Sequence, residues 1–388
     1  MKTNYQIKKL DDVCEIIMGQ SPASSTYNEK GEGLPFYQGK KDYGKKYPTP
    51  RVWCSLPIKI VEDADILISV RAPVGALNIS KEKSCIGRGL AGLRAKEGLD
   101  QKYLWYFLKL RKKNIADLGT GSTFTAISKK HLENLEIPLP SLAEQKKIVA
   151  RIEKVFAKID EATHLRVEAQ KAIAKLLPAT LHEIFEEGRG GRWNEISLGD
   201  VVNKFQYGSS KKSLNSGKIP CLRMGNLQNG EIDWTNLKYA PVNEEIEKFL
   251  LKDGDVLFNR TNSPDLVGKT SIFRGTSKAV FAGYLIRIDY DKEKIIGSFL
   301  NYVLNSVYAK EFCRNIKTDG VSQSNINAQK LATFTLLLPP LSEQKKIVAR
   351  LDTLSAKVRI LQEAQSVQLA DLKALKQSIL HEAFNPSE

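Results

Sequence analysis

Histidine and cysteine are scarce in this chain, four and five among 388 residues. The cysteines (Cys14, Cys54, Cys85, Cys221, Cys313) are odd in number, scattered, and form no C-x-x-C pair. Neither a disulfide framework nor a compact metal site is written here, and buried reduced thiols are expected. No apolar run approaches the roughly 18 residues that a membrane span needs, and the opening MKTNYQIKKLDDV lacks the apolar stretch of a secretory leader; a cytoplasmic protein with no membrane partner is expected. Catalytic signatures are missing as well. There is no P-loop, no G-x-S-x-G, and no Asn-Pro-Pro-aromatic or Asp-Pro-Pro-aromatic tetrapeptide of an amino-methyltransferase, since NSPD (262–265) and NPSE (385–388) do not fit. GRGLAG (87–92) fits G-x-G-x-x-G, but LRAKEGLD follows where a helix should open, and basic LRKK stands where an acid is required. It reads as a strand with close backbone packing rather than as a cofactor loop.

Acidic residues are also outnumbered, 44 against 59 basic ones, for a net charge of +15. A balance of this kind favours polyanionic partners, nucleic acid first. Its distribution is uneven: an excess of eight positive charges lies in residues 1–140, none in 141–187, six in 188–340 and one in 341–388. Hydrophobic residues make up 42%, enough for packed cores, and the length favours two or more domains.

What the chain does have is a repeat. SLAEQKKIVAR (141–151) and PLSEQKKIVAR (340–350) share eight consecutive residues, Glu144 to Arg151 and Glu343 to Arg350, at a spacing of 199. Each copy opens a heptad stripe: Ile148, Ile152, Val155, Ile159 and Ala162, then Ile173 and Leu176; and Ile347, Leu351, Leu354, Val358 and Leu361, then Leu372, Leu375 and Ile379. Such stripes predict two helices of about 45 residues that need a partner along their length, each being the other's natural partner. The stripe breaks at matched places, Arg166 and Ala169 against Gln365 and Gln368, where a polar layer or a local stutter belongs. Ser141 with Glu144 makes a capping box, whereas Pro340 in the second copy fits a first helical turn. EEGRGGRW (186–193) ends the first helix and marks a domain boundary.

The segments before each helix also echo one another. LDDVCEIIMG (10–19) parallels LGDVVNKFQYG (198–208), DADILISVRAPVG (63–75) parallels DGDVLFNRTNSPDLVG (253–268), and GSTFTAISKKHL (121–132) parallels GVSQSNINAQKL (320–331). Their middles diverge, as in two related domains that read different things. The fold expected is α+β: a first globular α/β domain (1–140), a first long helix (141–187), a second globular α/β domain (188–340) and a second long helix (341–388). A short link after the first helix makes the helices an antiparallel coiled coil with a domain at each end, related by a pseudo-twofold internal repeat.

Two such domains, each followed by P-x-L-[AS]-E-Q-K-K-I-V-A-R, resemble the DNA specificity subunit of type I restriction-modification systems. IPLPSLAEQKKIVARIEKVFAKID (137–160) and LLLPPLSEQKKIVARLDTLSAKVR (336–359) carry the likeness, as do GQSPASSTYNEKGEGLPFYQG (19–39) and DILISVRAPVG (65–75). The resemblance implies target recognition domains that each read one half of a bipartite site on double-stranded DNA, helices that set the spacer, and no catalysis in this chain. It also implies two methyltransferase subunits and restriction (helicase-nuclease) subunits as partners, with S-adenosylmethionine, ATP and Mg on those partners and no cofactor or metal here. An enzyme with an unrecognised catalytic site, and a repeat-built scaffold without DNA function, are the alternatives.

In the first domain the loop Lys40, Lys41, Tyr43, Lys45, Lys46 and Arg51 suits backbone gripping or groove entry, and Gln38, Arg71 and Arg88 suit bidentate base contacts. Lys211, Lys212, Arg223, Asn226, Arg260, Asn262 and Arg274 are the counterparts in the second. The matched polar loops Ser122, Thr123 and Thr125, and Gln323, Ser324 and Asn325, suit phosphates or plain turns. On the helices, Glu144, Gln145, Lys146 and Lys147 with Glu343, Gln344, Lys345 and Lys346 suit docking of a methyltransferase, or capping and solvation kept alike by recent duplication.

Overall fold

The computed structural model describes residues 5–119, 125–241, 246–275 and 277–384. The chain divides into two compact units, residues 1–166 with 367–388, and residues 167–366. The division passes through both long helices at the matched break in the heptad stripe, so each unit holds one globular domain with part of each helix.

In the first unit, strands β1 (Gln6–Lys9), β2 (Cys14–Met18), β3 (Leu34–Tyr37), β4 (Ile66–Ser69), β5 (Leu77–Ile79), β6 (Ser84–Ile86) and β7 (Leu90–Ala95) precede helix α1 (Gln101–Asp117). Strand β8 (Glu136–Leu139) then leads into helix α2 (Leu142–Arg189). An antiparallel sheet runs β2-β7-β4-β5, β1 pairs with β8, and β3 lies parallel to β6 in a second sheet. β4 is apolar from Ile66 to Ile68 because it is buried on both faces: Ile66 and Ile68 face α1 and the long helices, while Leu67 joins Tyr37, Val61, Ile86 and Leu90 on the other side. The glycines of GRGLAG allow close packing. A Cβ on Gly92, in β7, would lie 2.4 Å from Val61 Cγ1, and one on Gly89 would lie 2.3 Å from the Gln38 carbonyl oxygen.

The second unit repeats the plan. Strands β9 (Asn194–Ser197), β10 (Val202–Tyr207), β11 (Pro220–Leu222), β12 (Val256–Asn259), β13 (Thr270–Ile272), β14 (Val280–Phe281) and β15 (Leu285–Tyr290) precede helices α3 (Gly297–Asn305) and α4 (Val307–Ile316), then β16 (Thr335–Leu338) and helix α5 (Leu341–Phe384). The sheet order is β10-β15-β12-β13, β9 pairs with β16, and β11 lies parallel to β14. Each of these eight strands of the first unit therefore has a counterpart eight numbers later. Where α1 is one continuous helix, the second unit breaks at Ser306, which caps α4 by accepting from the Ala309 amide.

The long helices pair antiparallel. In the first unit Arg151 meets Glu382 (2.8 Å) and Asp160 meets Lys376 (2.6 Å); in the second Gln170 meets Ser366 (3.2 Å). Partner numbers fall along one helix as they rise along the other. Their ends are buried in the domain cores: Val149, Ile152, Phe156, Leu380 and Phe384 pack with α1, and Leu181, Ile184, Phe185, Ile347 and Leu351 pack with α3 and α4. The stripe does not continue as core through the middle, where Leu176 (43% exposed), Leu361 (43%) and Leu375 (47%) face water. A lone helix pair covers only a narrow seam, and the globular domains no longer add a third layer there. At the matched break Gln365 is buried, next to the Gln170–Ser366 bond, while Arg166 and Gln368 are exposed.

Two helix boundaries differ from the sequence expectation. α2 runs through Gly188 to Arg189, and Gly188 is needed because a Cβ there would lie 2.0 Å from the Trp193 ring. Pro340 precedes α5, its carbonyl accepting from the Glu343 and Gln344 amides, so it caps the helix from outside the first turn. All five cysteines are buried, and burial pushes the Cys14 thiol up to about 12. Among the described residues no helix is long and apolar enough to cross a membrane, and no cluster of potential metal ligands occurs.

Candidate nucleic-acid interface

Four chain turns, those after β2, β3, β4 and β6, converge at one end of the first unit's sheets. The turn after β3 is fixed by Asp42, a buried carboxylate that accepts from the Gln38 (2.8 Å) and Gly39 (3.3 Å) amides and pairs with Arg51 (2.7 Å). That arrangement turns Gln38, Lys40 and Lys41 outward. Beyond β4, the Ser69 hydroxyl donates to the Arg71 carbonyl (2.7 Å), and Arg71 pairs backbone to backbone with Ala126. Between β6 and β7 the Gly87 amide donates to the Tyr37 carbonyl, leaving Arg88 on the turn with its amide donating to Ser21 Oγ (3.4 Å). Together these turns line an open concavity of about 550 Å³ that presents Ser21, Gln38, Lys40, Ser69, Arg71 and Arg88, with no carboxylate in its lining among the described residues. It continues over Lys41, Ala72 and Pro73.

Four of the predicted first-domain residues, Gln38, Lys40, Arg71 and Arg88, thus share one site, and Lys41 borders it. The others stand elsewhere. Arg51 is bound to Asp42 and to the Lys41 carbonyl (2.8 Å), so it braces the loop rather than gripping a duplex. Tyr43 packs on the Tyr37–Leu67 core, and burial of its hydroxyl pushes its pKa well above the usual range. Lys45 and Lys46 follow the outer edge of β5, tied by Asn78 Nδ2 to the Gly44 carbonyl (3.1 Å) and by the Ile79 amide to the Lys46 carbonyl (3.0 Å). Thr125 packs beside Gly119, and Ser122 and Thr123 lie outside the described residues.

The matching turns of the second unit converge in the same way. Arg260, after β12, stacks over the Tyr207 ring (4.8 Å to the centroid) and donates to the Gly283 carbonyl (3.4 Å) and Asn325 Oδ1 (3.3 Å). Asn325 donates in turn to Thr261 Oγ1 (2.7 Å). Arg223, after β11, reaches the Asn236 carbonyl (3.3 Å), and Lys211, Lys212 and Gln323 are exposed. Asn262 keeps its Oδ1 on the Ser263 amide (2.8 Å). Two expectations need correction. Asn226 is buried and accepts from the Arg223 amide (2.9 Å) while donating to the Asp233 carbonyl (2.9 Å), the turn-holding place that Asp42 fills in the first unit. Ser324 is fully buried on Asp319. Arg274 stays exposed, beside α3 and α5, where it meets Glu231 (3.4 Å), Ser298 (3.3 Å) and Asp352 (3.9 Å).

The family model for the type I restriction modification DNA specificity domain matches residues 2–171 and again 191–369. The chain belongs to this family. A Methanocaldococcus jannaschii protein assigned as the MjaX type I restriction enzyme specificity subunit is 49% identical over 164 residues, which is 42% of this chain but only 39% of that relative's length. The MjaVIII specificity subunit of the same organism is 25% identical over 96% of this chain and 91% of its own. A chain solved in work on complex assembly and conformational transition of the type I R-M system matches with a TM-score of 0.78 at 22% identity, over 99% of this chain and 98% of that one. At that identity it shows the fold: two α/β domains alternating with two long helices.

Within this specificity chain, the residues proposed for partner docking divide sharply. Gln145 is fully buried; its Oε1 accepts from the Asp100 amide (2.8 Å), and its Nε2 donates to the Gly98 (2.9 Å) and Pro140 (2.8 Å) carbonyls. Gln344 does the same with the Ile296 amide (2.8 Å) and the Lys294 and Pro339 carbonyls (2.9 Å each). Both are clamps between a helix start and its own domain, unavailable to a partner. Glu343 accepts from Trp193 Nε1 (3.1 Å) and Glu144 pairs with Lys147 (3.5 Å), leaving Lys146, Lys345 and Lys346 as exposed cations. Sequence reasoning missed Ser21, Ser69 and the half-exposed Tyr284, whose carbonyl holds the Arg260 amide (3.0 Å). Aligning 63–75 on 253–268 residue by residue would have found Ser69, by setting it against Asn259 and Arg71 against Thr261.

Proposed function

We propose that this chain is the DNA sequence-recognition subunit of a type I restriction-modification assembly, each globular domain reading one half of a bipartite site. One observation carries the reading: the same four turns converge in each unit, and in the first they form a concavity with two arginines, a lysine and a glutamine free of carboxylates. Arginine and glutamine are the side chains that pair bidentately with guanine and adenine edges in the major groove, and lysines beside them suit phosphates. The paired helices, balanced in charge, serve as a spacer, and Lys146, Lys345 and Lys346 remain open for methyltransferase subunits. S-adenosylmethionine, ATP and Mg belong to those partners, in the cytoplasm. The purified chain should bind duplex DNA with an affinity that falls steeply with salt and should transfer no methyl group from S-adenosylmethionine by itself. Methyl transfer by the chain alone would overturn this reading in favour of an enzyme, and salt-insensitive binding would favour a scaffold.

A further inference from the structure

Arg260 is half-buried, yet no carboxylate pairs with it among the described residues. Its neighbour in the same sheet, Arg287, is tied to Asp255 (3.1 Å) and Gln206 (2.5 Å). The side-chain bonds of Arg260, to the Gly283 carbonyl (3.4 Å) and Asn325 Oδ1 (3.3 Å), are both long, and its buried Nε has no partner within the protein. Arg223 Nε and both amide atoms of the fully buried Asn259 are unpaired as well, at the end of the sheets where the turns converge. Buried donors without acceptors cost free energy, and a gathering of them marks a surface that meets a ligand. The guanidinium is nonetheless seated. It lies over the Tyr207 ring (4.8 Å), whose hydroxyl accepts from the Ala328 amide (3.0 Å), and Asn325 is itself bonded to Thr261 (2.7 Å). The backbone here repeats between the units: the Arg260 and Val70 amides donate to the Tyr284 and Gly89 carbonyls (3.0 Å each), and their carbonyls accept from Ile326 and Ile127 (2.9 Å each). Val70 is buried, however, and the strand position matched to Tyr207 is Met18. The fold by itself therefore requires neither the arginine nor the ring beneath it.

We propose that Arg260 reads a guanine in the major groove of the half-site bound by the second domain, with Tyr207 as the residue that positions it. Such a contact rests on the DNA-recognition reading and names one base within it. A guanidinium held in one orientation matches the N7 and O6 acceptors of guanine with two N–H groups, whereas a phosphate is served as well by a mobile ammonium. The test uses the sequence that the full chain selects from a random duplex pool, with each guanine replaced in turn by 7-deazaguanine, which lacks the N7 acceptor. One replacement should weaken binding by the unmodified chain about 5- to 150-fold and have no effect on R260K, which keeps the charge but loses the fork. Inosine at that position keeps N7 and O6 and should bind as guanine does. R260K should retain its affinity for random duplex and its sensitivity at every other guanine, so that a misfolded domain is told apart from a lost contact. Y207L should lose most of the sensitivity at that one guanine, and Y207F, which keeps the ring, should retain it. No guanine whose replacement separates the unmodified chain from R260K, or an equal fall of R260K on random duplex, overturns base reading by Arg260 while leaving DNA recognition standing. Full sensitivity in Y207L overturns the positioning role. A pool that yields no shared sequence would instead remove the DNA reading and the guanine contact with it.

Discussion

At the scale of single residues, two glutamines explain part of the repeated octapeptide. Gln145 and Gln344 each make three hydrogen bonds from a fully buried position, to the same three kinds of backbone group. Replacing either with alanine strands a buried amide and two carbonyls, which should cost about 2–4 kcal/mol of stability in the unit concerned, measured by urea unfolding. The adjacent Lys146→Gln should change stability by less than about 0.5 kcal/mol. A loss of methylation in K146Q/K345Q/K346Q, with unfolding unchanged, would then mark the exposed lysines as the partner contact. The concavity makes the opposite prediction: Arg71→Gln and Arg88→Gln should leave unfolding unaltered and weaken specific binding by about 1–3 kcal/mol each if they contact bases. Asn226→Ala should instead destabilise the second unit, because its amide holds the turn that carries Arg223. A motif shows which residues recur but not whether they point inward. Gln145 reads as surface beside two lysines, and only its place one turn into α2, against the Gly98–Asp100 backbone, makes it core.

At the scale of elements, the ends of the long helices complete the domain cores. Phe384 packs against Tyr103 (4.8 Å between centroids) and Phe107 (5.8 Å) in the first unit; Phe185, 199 residues earlier, packs against Trp193 (6.4 Å), Phe299 (6.3 Å) and Tyr308 (6.3 Å) in the second. Phe384→Ala should therefore cost about 3–5 kcal/mol in the first unit alone, and Phe185→Ala as much in the second alone. Amide exchange resolves the two: loss of protection in the β2-β7-β4-β5 sheet for the one, and in β10-β15-β12-β13 for the other. Protection lost equally in both units by either substitution would contradict the division of the cores. Existence and length of the helices were legible because heptad periodicity extends over tens of residues, and their antiparallel sense because the link after the first helix is short. Burial along them was not, since Leu361 and Leu375 carry the same periodic signal as Leu351 yet lack a domain to cover them. Leu351→Ala should accordingly destabilise by about 2–5 kcal/mol, while Leu361→Gln should be nearly neutral.

At the scale of the whole molecule, charge and modularity make one linked prediction. The basic excess lies in the two domains, six charges of it in residues 188–340, while the segments of the long helices are nearly neutral. Sequence preference follows side chains on the converging turns, and those turns belong to one domain at a time: Arg223, Arg260 and Lys211 to the second, Gln38, Arg71 and Arg88 to the first. Replacing residues 193–335 with the corresponding domain of another family member keeps both helices and the Gln344 clamp, because Gln344 takes its amide and carbonyl partners from Ile296, Lys294 and Pro339 through backbone groups that any residue supplies. The exchanged chain, assembled with methyltransferase subunits, should methylate sites in which one half is new, the other half is unchanged, and the number of base pairs between them is preserved. Mapping methylated positions across a genome reads all three at once. A change in both halves would show that the domains do not read independently; a change in spacing would show that the helices do not set it. Retention of both halves would place recognition outside residues 193–335, and so outside the turns that carry Arg223 and Arg260.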